Sequence, residues 1–200
     1  MRVSREQAAC NRTALLDAAS RLFRERGIDG VGVAEIAKAA ELTHGALYAH
    51  FPSKDALVAE AFSHGFEKNL KATARPKAEC SFQDHLTALF AASARDDLAG
   101  GCPMAASASE IGRQDGEVSA RFASAFEQMV TTLEASLGDE EGATPNRQLA
   151  VATVAAQIGA LVVSRAVAKA DKALSDEVLV AAREIISTAA TSLQGANPRR

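Results

Sequence analysis

The groups best placed to do chemistry lie in one short stretch. Thr43, His44, Tyr48, His50 and Lys54 bring a hydroxyl, two imidazoles, a phenol and an ammonium close together. On a helix, Leu47 and Phe51 stand four apart and turn inward with Leu42, which leaves Thr43, His44, Tyr48 and His50 facing outward. Gly45 and Ala46 are small enough to let such a helix come close to a phosphate or a base edge. A helix that reads a DNA groove needs this division between an apolar back and an open polar front. Tyr48 is the only tyrosine in the chain. Its hydroxyl can donate to a phosphate oxygen, a contact that positions rather than specifies. Lys54 opens the next helix, where its ammonium and the orphan backbone N–H groups can hold the same phosphate. Thr43 either caps its helix or touches DNA. The expected DNA contacts are therefore Thr43, His44, Ala46, Tyr48, His50 and Lys54.

One other reactive group stands out. Cys102 precedes Pro103 at a helix start, where unpaired N–H groups and the positive dipole end raise the reactivity of an exposed thiol. A thiol-reactive redox or electrophile sensor, or a small thiol enzyme, is thus the alternative function. A cysteine tucked in as a small apolar residue is the plain structural one. No partner His, Asp or Asn stands at a recognisable spacing from Cys102. His64 and His85 have no obvious nucleophile and acid to complete a triad, and Glu110 and Asp115 are isolated. Gly100-Gly101 lacks the remaining spacing of a phosphate loop. Cys10, Cys80 and Cys102 are odd in number and show no metal-type pair spacing. The expectation is no catalytic residue, no metal and no cofactor, in a protein that is not an enzyme.

Helices must position these groups, because every periodic stretch has the helical period and none alternates as a strand does. About nine helices are predicted, in an all-α fold. Ser4 with Gln7 forms a capping box ahead of a first helix with Leu15, Ala19, Leu22 and Phe23 on one face. Arg26-Gly27 closes it. Gly32 caps a helix carrying Val33, Ile36, Ala37 and Ala40, and Leu42-Thr43 starts the next, which ends near His50. Pro52 breaks the chain after Phe51, and Ser53 caps a fourth helix with Leu57, Ala61, Phe62 and Phe66 aligned. Arg75-Pro76-Lys77 is the first clear boundary. Later helices begin at Ser81-x-x-Asp84, at Cys102-Pro103, before Val118, at Thr144-Pro145 after an acidic loop at Gly138 to Ala143, and at Ser175. The expected division is a helix-turn-helix head at 1–55 and a larger helical domain at 56–200.

Composition is consistent with this division but does not prove it. At 200 residues and 48% apolar the chain can bury a proper core. The formal net charge of −3 makes the whole molecule no generic binder of polyanions. Residues 1–54 hold eight Lys/Arg against six Asp/Glu, and residues 55–200 hold fourteen against nineteen, so the small basic excess is N-terminal. No apolar segment of a signal peptide follows Met1. The longest mainly apolar run, Leu149 to Val163, falls short of the roughly 18 to 20 residues a bilayer demands. A cytoplasmic protein with free thiols is expected.

Residues 12–58 resemble the DNA-binding region of the tetracycline-repressor-like (TetR/AcrR) family. The likeness runs from Leu16-Asp17-Ala18-Ala19 and Leu22-Phe23 through Ile36-Ala37 to Gly45-Ala46-Leu47-Tyr48 and Phe51-x-Ser53-Lys54-x-x-Leu57. It covers about a quarter of the chain. The resemblance implies an all-helical homodimeric repressor with a three-helix head on its operator. It also implies a larger domain that binds a small effector and dimerises through its last two helices. Two positions depart from the pattern: Gly32 stands where Ser or Thr is usual, and His44 where Lys is frequent. Glycine still caps, at a loss of a few tenths of a kcal/mol.

Given that family, some of Phe66, Phe90, Cys102, Met104, Ser107, Phe122, Phe126, Met129 and Gln157 are expected to line the pocket of a mainly apolar effector. Phe82 and Glu110 are further candidates. Leu149 to Val167, rich in Ala and Val with Gly159, is apolar on nearly every side, and Leu179 with Ile185-Ile186 supplies a second apolar face. A two-fold dimer in which the helices of about 145–193 form a four-helix bundle is expected. No membrane partner is expected.

Overall fold

In the computed structural model, which describes residues 4–73, 80–114, 116–137 and 144–196, the described residues form ten helices and no strand. Arg75-Pro76-Lys77, Asp115 and the Gly138 to Ala143 loop lie outside the described residues. Two compact units divide the chain, Met1–Thr73 with Leu98–Ala125, and Ala74–Asp97 with Phe126–Arg200.

The first unit is built on α1 (Arg5–Arg26) and α4 (Lys54–Thr73). Ser4 Oγ accepts from the Gln7 N–H at 3.1 Å, but the Gln7 side chain donates to Asn11 instead of returning, so only half of the expected capping box forms. The expected apolar stripes are buried: Leu15, Ala19, Leu22 and Phe23 on α1, Leu57, Ala61, Phe62 and Phe66 on α4. Each buried Leu or Phe among them contributes roughly 1.5–3 kcal/mol by leaving water, and each Ala less. The two helices approach closely at Gly65, where an added Cβ would sit 2.1 Å from Ser20 Oγ. In chain order the short helices α2 (Val33–Ala39) and α3 (His44–His50) come between α1 and α4. Later in the chain, α7 (Pro103–Ile111) starts with Cys102 as cap and Pro103 at its first position. The first part of α8 (Gly116–Ser136) completes the unit, with Val118 and Ala125 buried.

The second unit contains α5 (Phe82–Leu89), α6 (Ala92–Asp96), the rest of α8, α9 (Thr144–Val167) and α10 (Lys172–Ala196). Ser81 and Asp84 form the full capping box of α5. Helix α6 brings the number to ten, one more than expected, and its cap residue, Ala91, has no polar side chain to signal it. It is held from a distance. The Arg95 guanidinium, only 1% exposed, donates to Asp96 at 2.7 Å, to Ser175 Oγ at 2.9 Å and to Asp176. These bonds, to Asp96 first and then Asp176, outweigh burial and raise its pKa further. Arg165 donates to the Ala94 and Arg95 carbonyls at 3.0 and 2.9 Å, placing a cation on the C-terminal end of α6.

Two expectations are corrected here. Ser175 does not open the last helix. It is fully buried and donates to the Ser164 carbonyl, while Asp171 accepts from the Leu174 N–H at 2.9 Å and starts the helix one turn earlier. The apolar run in α9 also exceeds the expected limit. Pro145–Val167 is 23 residues long and, by length and composition alone, apolar enough to cross a bilayer. In this chain the helix packs along α10 and carries Arg147 and Arg165.

Candidate nucleic-acid interface

The turn between α2 and α3 sets the geometry of the site. The Leu42 N–H donates to the Ala37 carbonyl at 2.9 Å and the Glu41 N–H to Lys38 at 3.0 Å, with Glu41 at φ +57°. This is the paired closure usually made with glycine at the left-handed position. Glu41 adopts it at a cost of order 1 kcal/mol, so the sharp turn is real although no glycine announces it. Thr43 then caps α3, its Oγ1 accepting from the Ala46 N–H at 3.2 Å. Of the two roles open to Thr43, capping is the one in place, and its side chain remains exposed.

Helix α3 is divided as a reading helix must be. Leu47 and Phe51 are completely buried and Leu42 half-buried, while Thr43, His44, Gly45 and Tyr48 are exposed. Tyr48 exposes 46% of its surface, and its ring meets that of His44 edge to face at 5.1 Å. Nothing inside the chain requires Gly45 to lack a side chain, since a Cβ there would meet no atom within 4 Å. Ala46, His50 and Lys54 are half-buried, and Lys54 makes no ion pair among the described residues. Ser53 Oγ accepts from the Ala56 N–H at 3.1 Å, so Lys54 sits at the first position of α4, as expected.

Three polar ties steady this surface. Arg26 pairs with Glu35, joining the end of α1 to α2. Arg12 pairs with Glu60 of α4 while its guanidinium lies 4.9 Å from the centre of the Phe51 ring. Asp17 accepts from Lys68 at 2.7 Å and lies 3.0 Å from His64 Nε2. Partial burial pushes the Asp17 carboxyl up, but hydrogen bonds from Lys68 and His64, with their charges, outweigh it and lower its pKa. His64 thus has an acid beside it, brought from 47 residues upstream.

Comparison with known proteins places this geometry. Residues 15–61 match the family described as bacterial regulatory proteins, tetR family, and residues 78–176 match the transcriptional regulator LmrA/YxaF-like C-terminal domain. The chain belongs to the TetR family of transcriptional regulators. These are DNA-binding helix-turn-helix proteins, not enzymes. Among curated relatives, the regulator AcrR of Shigella flexneri is 42% identical over 59 residues, 30% of this chain and 27% of that protein. The repressor KstR2 of Rhodococcus jostii is 51% identical over 49 residues, 24% of each. The matched stretch thus spans only about a quarter of those relatives. Across the longer fold, a TetR-family regulator of Cytophaga hutchinsonii superposes with a TM-score of 0.71 at 19% identity, covering 94% of this chain and 98% of that one. Escherichia coli NemR in its reduced form gives 0.68 at 20%, covering 89% and 95%.

Within this TetR-family chain the expected pocket residues separate. Phe66, Cys102, Met104, Ser107 and Phe122 belong to the first unit, and Phe90, Phe126, Met129 and Gln157 to the second. Phe66, Phe90, Met104, Ser107 and Gln157 are buried, and the others half-buried. In the first unit a cavity of about 20 Å³, room for about one water, is lined by residues of α1, α4, α7 and α8, among them Ser107 and Ile111, and by Ile28 of the turn after α1. Ser107 is the only one of the nine to line it. Its hydroxyl already donates to the Pro103 carbonyl at 2.7 Å. In the second unit Gln157 is 2% exposed, and its Oε1 has no hydrogen-bond partner among the described residues.

Glu110 is neither isolated nor aimed at a pocket. Its carboxylate accepts from the Ile28 N–H at 3.0 Å and the Asp29 N–H at 3.3 Å, tying α7 to the turn between α1 and α2. No local pattern signals a contact across 82 residues. The one trace in the sequence is an acidic residue in the last turn of a helix, where the dipole disfavours it.

Proposed function

We propose that this TetR-family regulator is a ligand-responsive repressor that binds a near-palindromic operator as a homodimer. The observation that carries the reading is the open polar face of α3 on the buried pair Leu47 and Phe51. Residues 1–55 serve as the DNA-binding head and 56–200 as the effector-binding and dimerisation region. Tyr48 and Lys54 hold backbone phosphates, and His44, Ala46 and His50 lie along the groove with Thr43 as cap. Two recognition helices enter successive major grooves about 34 to 36 Å apart.

Homodimerisation is supported by what α9 and α10 leave uncovered. Val151, Val162 and Val163 on α9 and Leu174, Val180 and Ile185 on α10 are exposed, Ile185 by 72%. Leu179 and Ile186 turn inward instead. A Cβ on Gly159 would meet nothing within 4 Å, so the subunit itself has no use for that small residue. The effector is a small, mainly apolar molecule. A donor group on it would satisfy the buried Gln157 Oε1. It releases DNA by binding better to a conformation with the wrong groove spacing, and by no more than its differential affinity. The protein works in the cytoplasm. Selecting bound fragments from the source genome, then screening compounds for release, tests both halves of the reading. Retention that does not weaken with salt would reject DNA binding.

A second reading, thiol sensing through Cys102, is supported by its half-buried place at the start of α7, the helix that carries Glu110 in its last turn. A thiol reagent that leaves DNA affinity unchanged after modifying Cys102 would reject it.

A further inference from the structure

We propose that Glu110 is a positioning residue for DNA binding, a latch at the end of α7 that holds the turn from which α2 and α3 are hung. The proposal rests on the DNA-binding reading of α3 and adds the part that aims it. Glu110 breaks a local rule, since a carboxylate one residue from the end of α7 faces the negative end of that helix's dipole. A placement that is poor for α7 itself points to a partner elsewhere. That partner is the backbone just after α1, where both carboxylate oxygens accept from the Ile28 N–H at 3.0 Å and Oε1 accepts from the Asp29 N–H at 3.3 Å. Hydrogen bonds to an ionised acceptor are about twice as strong as neutral ones.

Two further observations show that the turn is shaped around this carboxylate. Gly27 sits at φ +80°, and a Cβ there would stand 2.8 Å from Glu110 Oε1 and 3.1 Å from Oε2. Only glycine both takes that backbone and leaves room for the acid. The cavity of the first unit also lies beside the latch, lined by Ile28 on the head side and by Ser107 and Ile111 on the α7 side. A void gives no packing contact. The charged bonds therefore add to the apolar contact of the buried Ile28 and Ile111 in fixing how the turn sits on α7. Anything that shifts α7 removes the acceptor, and the head loses its fixed direction. The chain from α7 to α3 is short: Ile28 and Asp29 lead through Gly32, the cap of α2, to the Glu41 turn and Thr43.

The test uses the full chain, a duplex selected by the wild type from random-sequence DNA, and a random duplex. Glu110→Ala should make the Ile28 and Asp29 amides exchange rapidly and weaken binding to the selected duplex about tenfold. Protection of α9 and α10 and the salt dependence should stay unchanged, because no phosphate contact is removed. Glu110→Gln, which keeps one acceptor oxygen, should fall between and is the variant to read if Glu110→Ala does not fold. Wild-type affinity in a folded variant whose two amides exchange freely would overturn the proposal, as would amides that stay protected without Glu110. Failure of the wild type to enrich any duplex would instead reject the DNA-binding reading, and the amide exchange would still judge the latch.

Discussion

Helix α3 exposes a phenol, an imidazole and a hydroxyl around Tyr48, whereas α9 and α10 expose Val151, Val162, Val163, Leu174, Val180 and Ile185. Both surfaces are left open by the subunit, and they differ in what would cover them. A surface meant for a polyanion keeps donors and small residues forward and hides its apolar residues behind. A surface meant for a second copy keeps its apolar residues forward, because an exposed patch of that kind favours association. The supports differ in the same way. The head is tied by charged groups on neighbouring helices, Arg12 with Glu60 and Asp17 with His64 and Lys68. The α9–α10 pair is tied by buried polar groups at its turn, Ser164, Ser175 and Arg95.

Substitutions that load one surface and spare the other sharpen this contrast. The largest effect is expected from Val163→Glu with Ile185→Glu. Burying unpaired charge in the dimer should weaken self-association about a hundredfold or more, read as a monomer by sedimentation velocity. A dimer of unchanged strength would remove these helices from the interface. Next comes Leu47→Ala, which should cost about 2–5 kcal/mol in the head and abolish DNA retention while the dimer persists. Loss of both together would mean that the two regions are not separable.

Tyr48→Phe and Lys54→Ala should weaken selected and random duplex alike, with the Lys54 change lowering the salt slope by about one. A loss confined to one base position would contradict the phosphate assignment. Asp17→Asn tests the α1–α4 tie by acid titration. Because the folded carboxyl pKa is lowered, its stabilisation is present above the ordinary value of about 3.9 and fades as pH falls through the folded one. The variant should therefore unfold less steeply with acid over that window, and an unchanged acid limb would mean the tie carries no stability. Thr43→Ala should have the smallest effect, about 1 kcal/mol of head stability from the lost cap, read as a lower Tm.

What was legible in the sequence follows the range of each interaction. Caps at Thr43, Ser53 and Ser81, the stripes of α1 and α4, and the inward pair Leu47 and Phe51 are set within a few residues, so periodicity and cap chemistry reveal them. Helix α6 was hidden because it is five residues long, capped by Ala91, and held by Arg95 and Arg165 through residues some 70 to 80 positions away. Ser175 misled for the same reason: a good capping residue had been recruited into the buried network around Arg95. Glu110 and the Asp17–His64 pair were likewise invisible, since a carboxylate's partner 82 or 47 residues away leaves no local pattern. The α2–α3 turn was found from its flanks even though its left-handed residue is Glu41 and not glycine.

Hydroxyl-radical footprinting of the wild-type protein on a selected duplex, with the number of chains per duplex counted, addresses the central claim most directly. Two protected patches about one helical turn apart with two chains bound, both weakened by Lys54→Ala, are predicted. One patch with a single chain, or protection indifferent to Lys54, would contradict a paired α3 surface.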